Sequence, residues 1–175
     1  QALVDIVKAG KALYVGISRW PLEALKVADK YLRERDVPLL IYQGRLHLLD
    51  RSPQEEGIID YCEAHGIGFI SFSPLAQGLL TNRYLHGIPA DSRMARDFSL
   101  KKETLTPELL DYLQRLNRYA EDRGETLAEM ALAWVLQQKG ITSVLVGASS
   151  VAQLEQNMKC VHADAFDDES MLQYP

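Results

Sequence analysis

Four short apolar runs divide this chain, and each stops at a polar segment. ALYV leads into GISRW, PLLI into YQ, GFISF into SPLAQG, and SVLV into GASS. The runs have the length of strands and are rich in Val, Ile, Leu and aromatic residues, while helix-patterned sequence fills the stretches between them. Parallel strands linked by helices carry their ligand-binding residues at the strands' carboxyl ends. Four polar ends in series therefore imply one shared ligand site.

The pattern predicts strands at residues 12–17, 38–42, 68–72 and 143–146. A helix end is expected at 2–9 and a helix at 21–35, with Leu22, Leu25, Ala28 and Leu32 along one face. The helix at 53–65 opens with a capping box, Ser52 and Glu55, has Pro53 at its first position and stops at Gly66. A long loop at 81–105 follows the third strand. Two helices come next, 107–122 capped by Thr106 and 127–139 capped by Thr126 with Glu129 as its box partner. Ser150 with Gln153 opens a last helix at 151–160. The order is four strand–helix units, about half of an eight-stranded parallel barrel, which typically takes ~250 residues. Residues 1–175 read as one such half-domain, beginning in mid-fold and expected to be a fragment of a longer chain. A loop of about 25 residues in a compact domain usually either serves function or is disordered, and its place at a strand's carboxyl end favours function here.

A net charge of −5 argues against nucleic-acid or anionic-membrane partners, which favour a basic face. No apolar stretch reaches the ~20 residues that span a bilayer, and the run at 66–80 is broken by Ser71, Ser73, Pro74 and Gln77. Cys62 and Cys160 lack metal-ligand spacing and are expected to be buried, reduced thiols of a cytoplasmic protein. His47, His65, His86 and His162 show no metal-ligand spacing, so no metal site is expected, and no GK[ST] loop is present for phosphoryl transfer.

Each strand end carries its own chemistry. Ser18 and Arg19 bring a hydroxyl and a guanidinium. Gln43 offers a primary amide, donor and acceptor at once, which suits another primary amide such as the carboxamide of nicotinamide. Phe72 is a flat ring beside a turn made by Pro74, able to stack on a flat ligand. GASS, leading straight into a helix, supplies small residues, hydroxyls and free amides of the kind that cradle phosphate. Together these parts describe a nicotinamide dinucleotide. Each also has an ordinary alternative: Ser18 as a helix cap, Gln43 as a loop tie, Phe72 as core, and Ser149 and Ser150 as caps of the last helix.

The order GISRW, a strand ending in Gln, FSPL followed by AQGLL, and GAS…Q…N resembles the carboxyl-terminal half of the aldo-keto reductases. SFSPLAQGLLTNRYLHGIPADSRMAR is the most specific piece. It resembles the branch holding the potassium-channel β subunits and the bacterial L-glyceraldehyde 3-phosphate reductases. The resemblance implies an α/β fold, a (β/α)8 TIM barrel of which this chain supplies about the last four units. It also implies NADP(H) as cofactor and a small aldehyde or ketone as substrate, with glyceraldehyde 3-phosphate and methylglyoxal as candidates. By motif, Ser18, Arg19 and Gln43 would lie around the nicotinamide carboxamide and Phe72 would stack on the ring. Ser73, Pro74, Leu75, Gln77 and Gly78 would line the pyrophosphate path, with Arg83 and Arg93 folding over the phosphates. Gly147, Ser149, Gln153, Gln156 and Asn157 would hold the adenosine end and its 2′-phosphate. Ser150 stands where many relatives have a basic residue.

The family's catalytic Asp, Tyr, Lys and His lie on its first four strand ends, and those motifs are not in this sequence. Tyr14 and His47 do not match them, so no catalytic residue is assigned and the chain alone is expected to show negligible turnover. An amino-terminal barrel half or a second copy is the expected partner, because a separated half leaves two parallel-strand edges unpaired. Two other readings stay open: an NADPH-sensing binding protein like the channel subunits, and a half-barrel that pairs with itself.

Overall fold

The computed structural model describes residues 1–90, 92, 94–95, 100–166 and 172–173. The chain divides into two compact units. The first comprises Gln1–Leu46, Asp50–Phe72 and Gln138–Leu145, and the second His47–Leu49, Ser73–Gln137 and Val146–Pro175.

The first unit holds helix α1 (Ala2–Lys8), strand β1 (Val15–Ser18), helix α2 (Leu22–Arg33), strand β2 (Leu39–Arg45), helices α3 (Ser52–Glu55) and α4 (Ile58–Ala64), and strands β3 (Gly68–Phe72) and β4 (Ile141–Val144). Its sheet has the order β1-β2-β3-β4, and every neighbouring pair is parallel. Strands adjacent in sequence are adjacent in space throughout, so the order never reverses as it does in a doubly wound sheet. That sequential order is the barrel arrangement.

Strand bounds differ from the sequence pattern for reasons of pairing. Residues 12–14 stay outside β1, since β2 begins at Leu39 opposite Val15 and nothing lies beside them; Leu13 and Tyr14 are exposed. β2 runs on to Arg45 because Gln43 pairs on both sides, with Ser18 and with Ile70. β4 starts at Ile141, drawn in by pairing with Phe69, whose amide also donates to the Thr142 hydroxyl at 3.1 Å. It ends at Val144 rather than residue 146: Val144 opposite Ser71 is the last register pair, and past it the Leu145 amide donates to the Ser71 carbonyl at 2.8 Å.

The expected helix at 53–65 is two helices. Gly57 between them takes φ +72°, a left-handed conformation that glycine adopts at no steric cost, and α3 closes before it. The expected Ser52–Glu55 capping box does not form. The Ser52 hydroxyl and amide instead donate to Asp50, at 2.7 and 3.2 Å. Gly66 ends α4 as anticipated, at φ +68°, with the Ile67 amide returning to the Cys62 carbonyl at 2.8 Å.

α2 buries Leu25 and Leu32 against the sheet side, and Asp29 is buried on the same face. Asp29 accepts from Arg33 at 2.8 Å and from the Tyr61 hydroxyl at 3.0 Å, which ties α2 to α4. On the helix-covered side of the sheet, the rings of Tyr42 and Phe69 stack with centroids 5.6 Å apart. Gly44 permits this stack, since a Cβ there would come within 2.5 Å of the Phe69 ring.

The second unit contains α5 (Pro107–Asp122), α6 (Leu127–Gln137) and α7 (Val151–Met158), with short 3-10 turns at Asn82–Tyr84, Lys102–Thr104 and Lys159–His162. α5 is capped as expected: the Leu109 amide donates to the Thr106 hydroxyl at 3.2 Å. The Thr126–Glu129 box closes both ways, at 3.2 and 2.7 Å. α6 is apolar nearly all round and correspondingly buried, with Trp134 fully enclosed. It ends at Gln137 and α7 at Met158, each two residues before the expected limit; residues 159–162 tighten into a 3-10 turn.

Candidate functional site

In the first unit the predicted residues gather at the carboxyl ends of three neighbouring strands. Side chains alternate along a strand, so Ile41, Gln43 and Arg45 share one face of β2 and Tyr42 and Gly44 point to the other. Ser18 stands directly opposite Gln43, and Arg45 opposite Phe72. Ser18 is exposed, while Gln43 and Phe72 are half-buried. Among the described residues neither the Ser18 hydroxyl nor the Gln43 amide is taken by another group. Arg19 continues the ladder one step past β1, its amide donating to the Gln43 carbonyl at 3.0 Å. Its φ of +59° is costly for a residue with a Cβ.

The second unit carries the rest. SPLAQGLL is a string of tight turns: the Ala76 amide bonds the Ser73 carbonyl at 2.9 Å, and Gly78 bonds Leu75 at 2.8 Å. Ser73, Ala76 and Gln77 all take positive φ, at +52°, +47° and +59°. With Arg19 they make four of the five such non-glycine residues described, the other being Asp36. Strain of this kind costs of order 1–3 kcal/mol per residue and concentrates at ligand clamps. Pro74 is buried and Leu75 half-buried beneath the turns. Arg83 is exposed on its own turn, where its amide bonds the Thr81 hydroxyl at 3.2 Å. Arg93 lies outside the described residues.

Gly147, Ser149, Gln153 and Gln156 are exposed around the start of α7. Ser150 caps the helix, accepting from the Gln153 amide at 3.2 Å. The Gln153 side-chain oxygen in turn holds the Ser149 amide and hydroxyl, at 2.7 and 2.9 Å. Asn157 differs from these neighbours: it is only 4% exposed, and its Nδ2 has no hydrogen-bond partner among the described residues.

A cleft of about 340 Å³ in the first unit was not foreseen from sequence. Arg19, Trp20, Tyr42, Arg45, Asp50 and Glu56 line it. Tyr42 and Gly44, from the face of β2 away from Gln43, line it together with Arg45 at the end of the strand. The Tyr42 hydroxyl donates to the Trp20 carbonyl at 2.7 Å. Burial, then the neighbouring Cys62 and Glu56, push that phenol up to about 12, against a smaller opposing pull from Arg19. Arg45 grips Asp50 at 2.6 Å. Burial raises the Asp50 carboxyl, but bonds from Ser52 and Arg45 outweigh it and hold the group below its ordinary value. The signal available in sequence was a base and an acid five residues apart just past a strand, too common a pattern to single out.

His47, which the sequence offered no reason to promote, is buried, and its Nδ1 accepts the Leu49 amide at 3.2 Å. Both cysteines are free and buried, and burial followed by Asp29 pushes the Cys62 thiol up to about 11. No group of three or more metal-ligating side chains occurs among the described residues. No described helix is long and apolar enough to cross a membrane. The donor set fits a nicotinamide dinucleotide in kind: a free amide and hydroxyl side by side for a carboxamide, and a buried, unsatisfied amide donor on α7 for a heteroaromatic acceptor.

A family model described as the aldo/keto reductase family matches residues 1–174. An L-glyceraldehyde 3-phosphate reductase of Escherichia coli O157:H7 is 45% identical over 177 residues, covering 98% of this chain and 51% of that protein. A putative voltage-gated potassium channel subunit beta of Schizosaccharomyces pombe is 32% identical over 169 residues, covering 92% of this chain and 48% of that protein. The crystal structure of a thermostable aldo-keto reductase with the inhibitor epalrestat superposes with a TM-score of 0.69 at 22% identity, over 98% of this chain and 51% of that one. The chain thus spans about half the length of the relatives it matches. Its parallel, sequentially ordered strands are part of the TIM barrel of those proteins, and the chain belongs to the aldo/keto reductase family.

Proposed function

We propose that this chain is the NADP(H)-binding, carboxyl-terminal half of an oxidoreductase that reduces small aldehydes or ketones. The unpartnered, buried amide of Asn157 carries the reading, since an unsatisfied donor of that kind is retained at a cost that a ligand can remove. Ser18 and Gln43 would bond the carboxamide, with Arg19 beside them, and Phe72 would offer its ring. Ser73, Pro74, Leu75, Gln77, Gly78, Arg83 and Arg93 would hold the phosphates. Gly147, Ser149, Gln153, Gln156 and Asn157 would take the adenosine end. The bound cofactor supplies hydride to a carbonyl carbon. What these side chains do is fix orientation: a primary amide against a primary amide sets the plane of the ring, and a stacked face leaves the other face for substrate.

The relatives named L-glyceraldehyde 3-phosphate reductase make glyceraldehyde 3-phosphate the first substrate to try, and methylglyoxal the second. The proton donor would come from polypeptide outside this sequence, so activity belongs to the full-length gene product. Aldehyde-dependent oxidation of NADPH by that product is the test, and no oxidation with either aldehyde would overturn the enzymatic reading. A second reading is a cofactor-binding protein that acts without turnover, favoured by the likeness to a potassium channel subunit beta. It predicts NADPH bound but not consumed.

A further inference from the structure

The cleft at the carboxyl ends of β1 and β2 holds two opposite charges that do not meet. Arg45 and Asp50 neutralise each other there at 2.6 Å. Arg19 and Glu56 line the same cleft, yet no nitrogen–oxygen approach between them falls within 4.0 Å. Neither side chain makes a hydrogen bond or ion pair among the described residues. Both act on the Tyr42 hydroxyl in the same wall, Glu56 raising its proton affinity and Arg19 lowering it. Trp20, 43% exposed, and Pro21 line the same cleft. The volume of about 340 Å³ is that of a small-molecule site.

A simple anion would be drawn to Arg19 and repelled by Glu56, and a simple cation the reverse. An apolar ligand would strip water from both charges without replacing it, at a cost in free energy. A molecule carrying both signs a bond or two apart satisfies both groups together. We propose that this cleft binds a small zwitterion of the α-amino acid class, its carboxylate on Arg19, its ammonium on Glu56 and its side chain against Trp20. The cleft shares Arg19 with the residues proposed above to surround the carboxamide, but Ser18 and Gln43 do not line it, and the titrations below contain no NADPH, so their outcome does not depend on the cofactor reading.

The chain has two tryptophans, and Trp134 is fully buried, so Trp20 reports on the cleft. The intact chain is titrated with L-leucine, with 4-methylpentanoate, which lacks the ammonium, and with 3-methylbutylamine, which lacks the carboxylate. Tryptophan emission is followed, and calorimetry repeats each titration. The expected result is a saturable response to leucine, at least about tenfold weaker with either single-charge analogue and lost in both R19Q and E56Q, as removal of a charge-assisted bond requires. Both substitutions are at exposed positions and leave the core untouched. No saturable response by either method, an equal response to 4-methylpentanoate, or leucine binding that survives E56Q would each overturn the proposal.

Discussion

A buried amide without a partner costs stability, and Asn157 holds one. Leaving such a donor unmade costs about 1–3 kcal/mol, whereas an apolar side chain of similar size in the same place costs nothing of the kind. Asn157→Leu should therefore raise the melting temperature of the ligand-free chain by a few degrees while weakening NADPH binding about tenfold. Thermal melts with and without NADPH check both halves of the expectation. An unchanged NADPH shift would place Asn157 outside the binding residues. At this scale the start of α7 was legible, because Ser150 caps it by accepting from the Gln153 amide as the spacing predicts. The Arg19–Glu56 cleft was not, because it joins residues from two loops that only the fold brings together. Asp29 was missed for a related reason: a carboxylate on the buried face of α2 makes sense only once Arg33 and the Tyr61 hydroxyl are beside it.

Two segments share the pattern Ser/Thr-x-x-Glu, and only one is a capping box. Thr126 and Glu129 bond reciprocally, whereas Ser52 turns back to Asp50 and Glu55 is left exposed. Thr126→Ala should cost about 1 kcal/mol and Ser52→Ala, measured in the same urea titrations, distinctly less if capping is the larger effect. Equal losses would contradict the assignment of the two motifs. The difference rests on neighbours that a local pattern does not weigh. Asp50 precedes Ser52 with a better acceptor, and Gly57 breaks the helix after one turn. Strand ends shifted likewise: the apolar runs located all four strands, but their limits follow the pairing register, as with Val15 opposite Leu39 and Arg45 opposite Phe72.

In the first unit four parallel strands lie in sequential order, and two tyrosines fasten the helical layer beside them. Burial is the main cause that pushes both Tyr42 and Tyr61 up to about 12, from an ordinary value of 10.0. A raised folded value means the proton is bound more tightly in the folded chain. That contribution is complete below pH 10 and is lost as pH climbs from 10 toward 12. The urea midpoint should hold up to about pH 9 and fall steeply above 10; a flat profile across that window would contradict the burial of these phenols. The barrel arrangement was legible from the alternation of runs and helices, since the period and order of elements fix it. Equilibrium titration of this chain with NADPH decides whether it holds the cofactor. Saturable binding at one site per chain, weakened several-fold by Gln43→Ala through loss of one amide pair, is the predicted result. No saturable binding, or binding indifferent to Gln43, would contradict it.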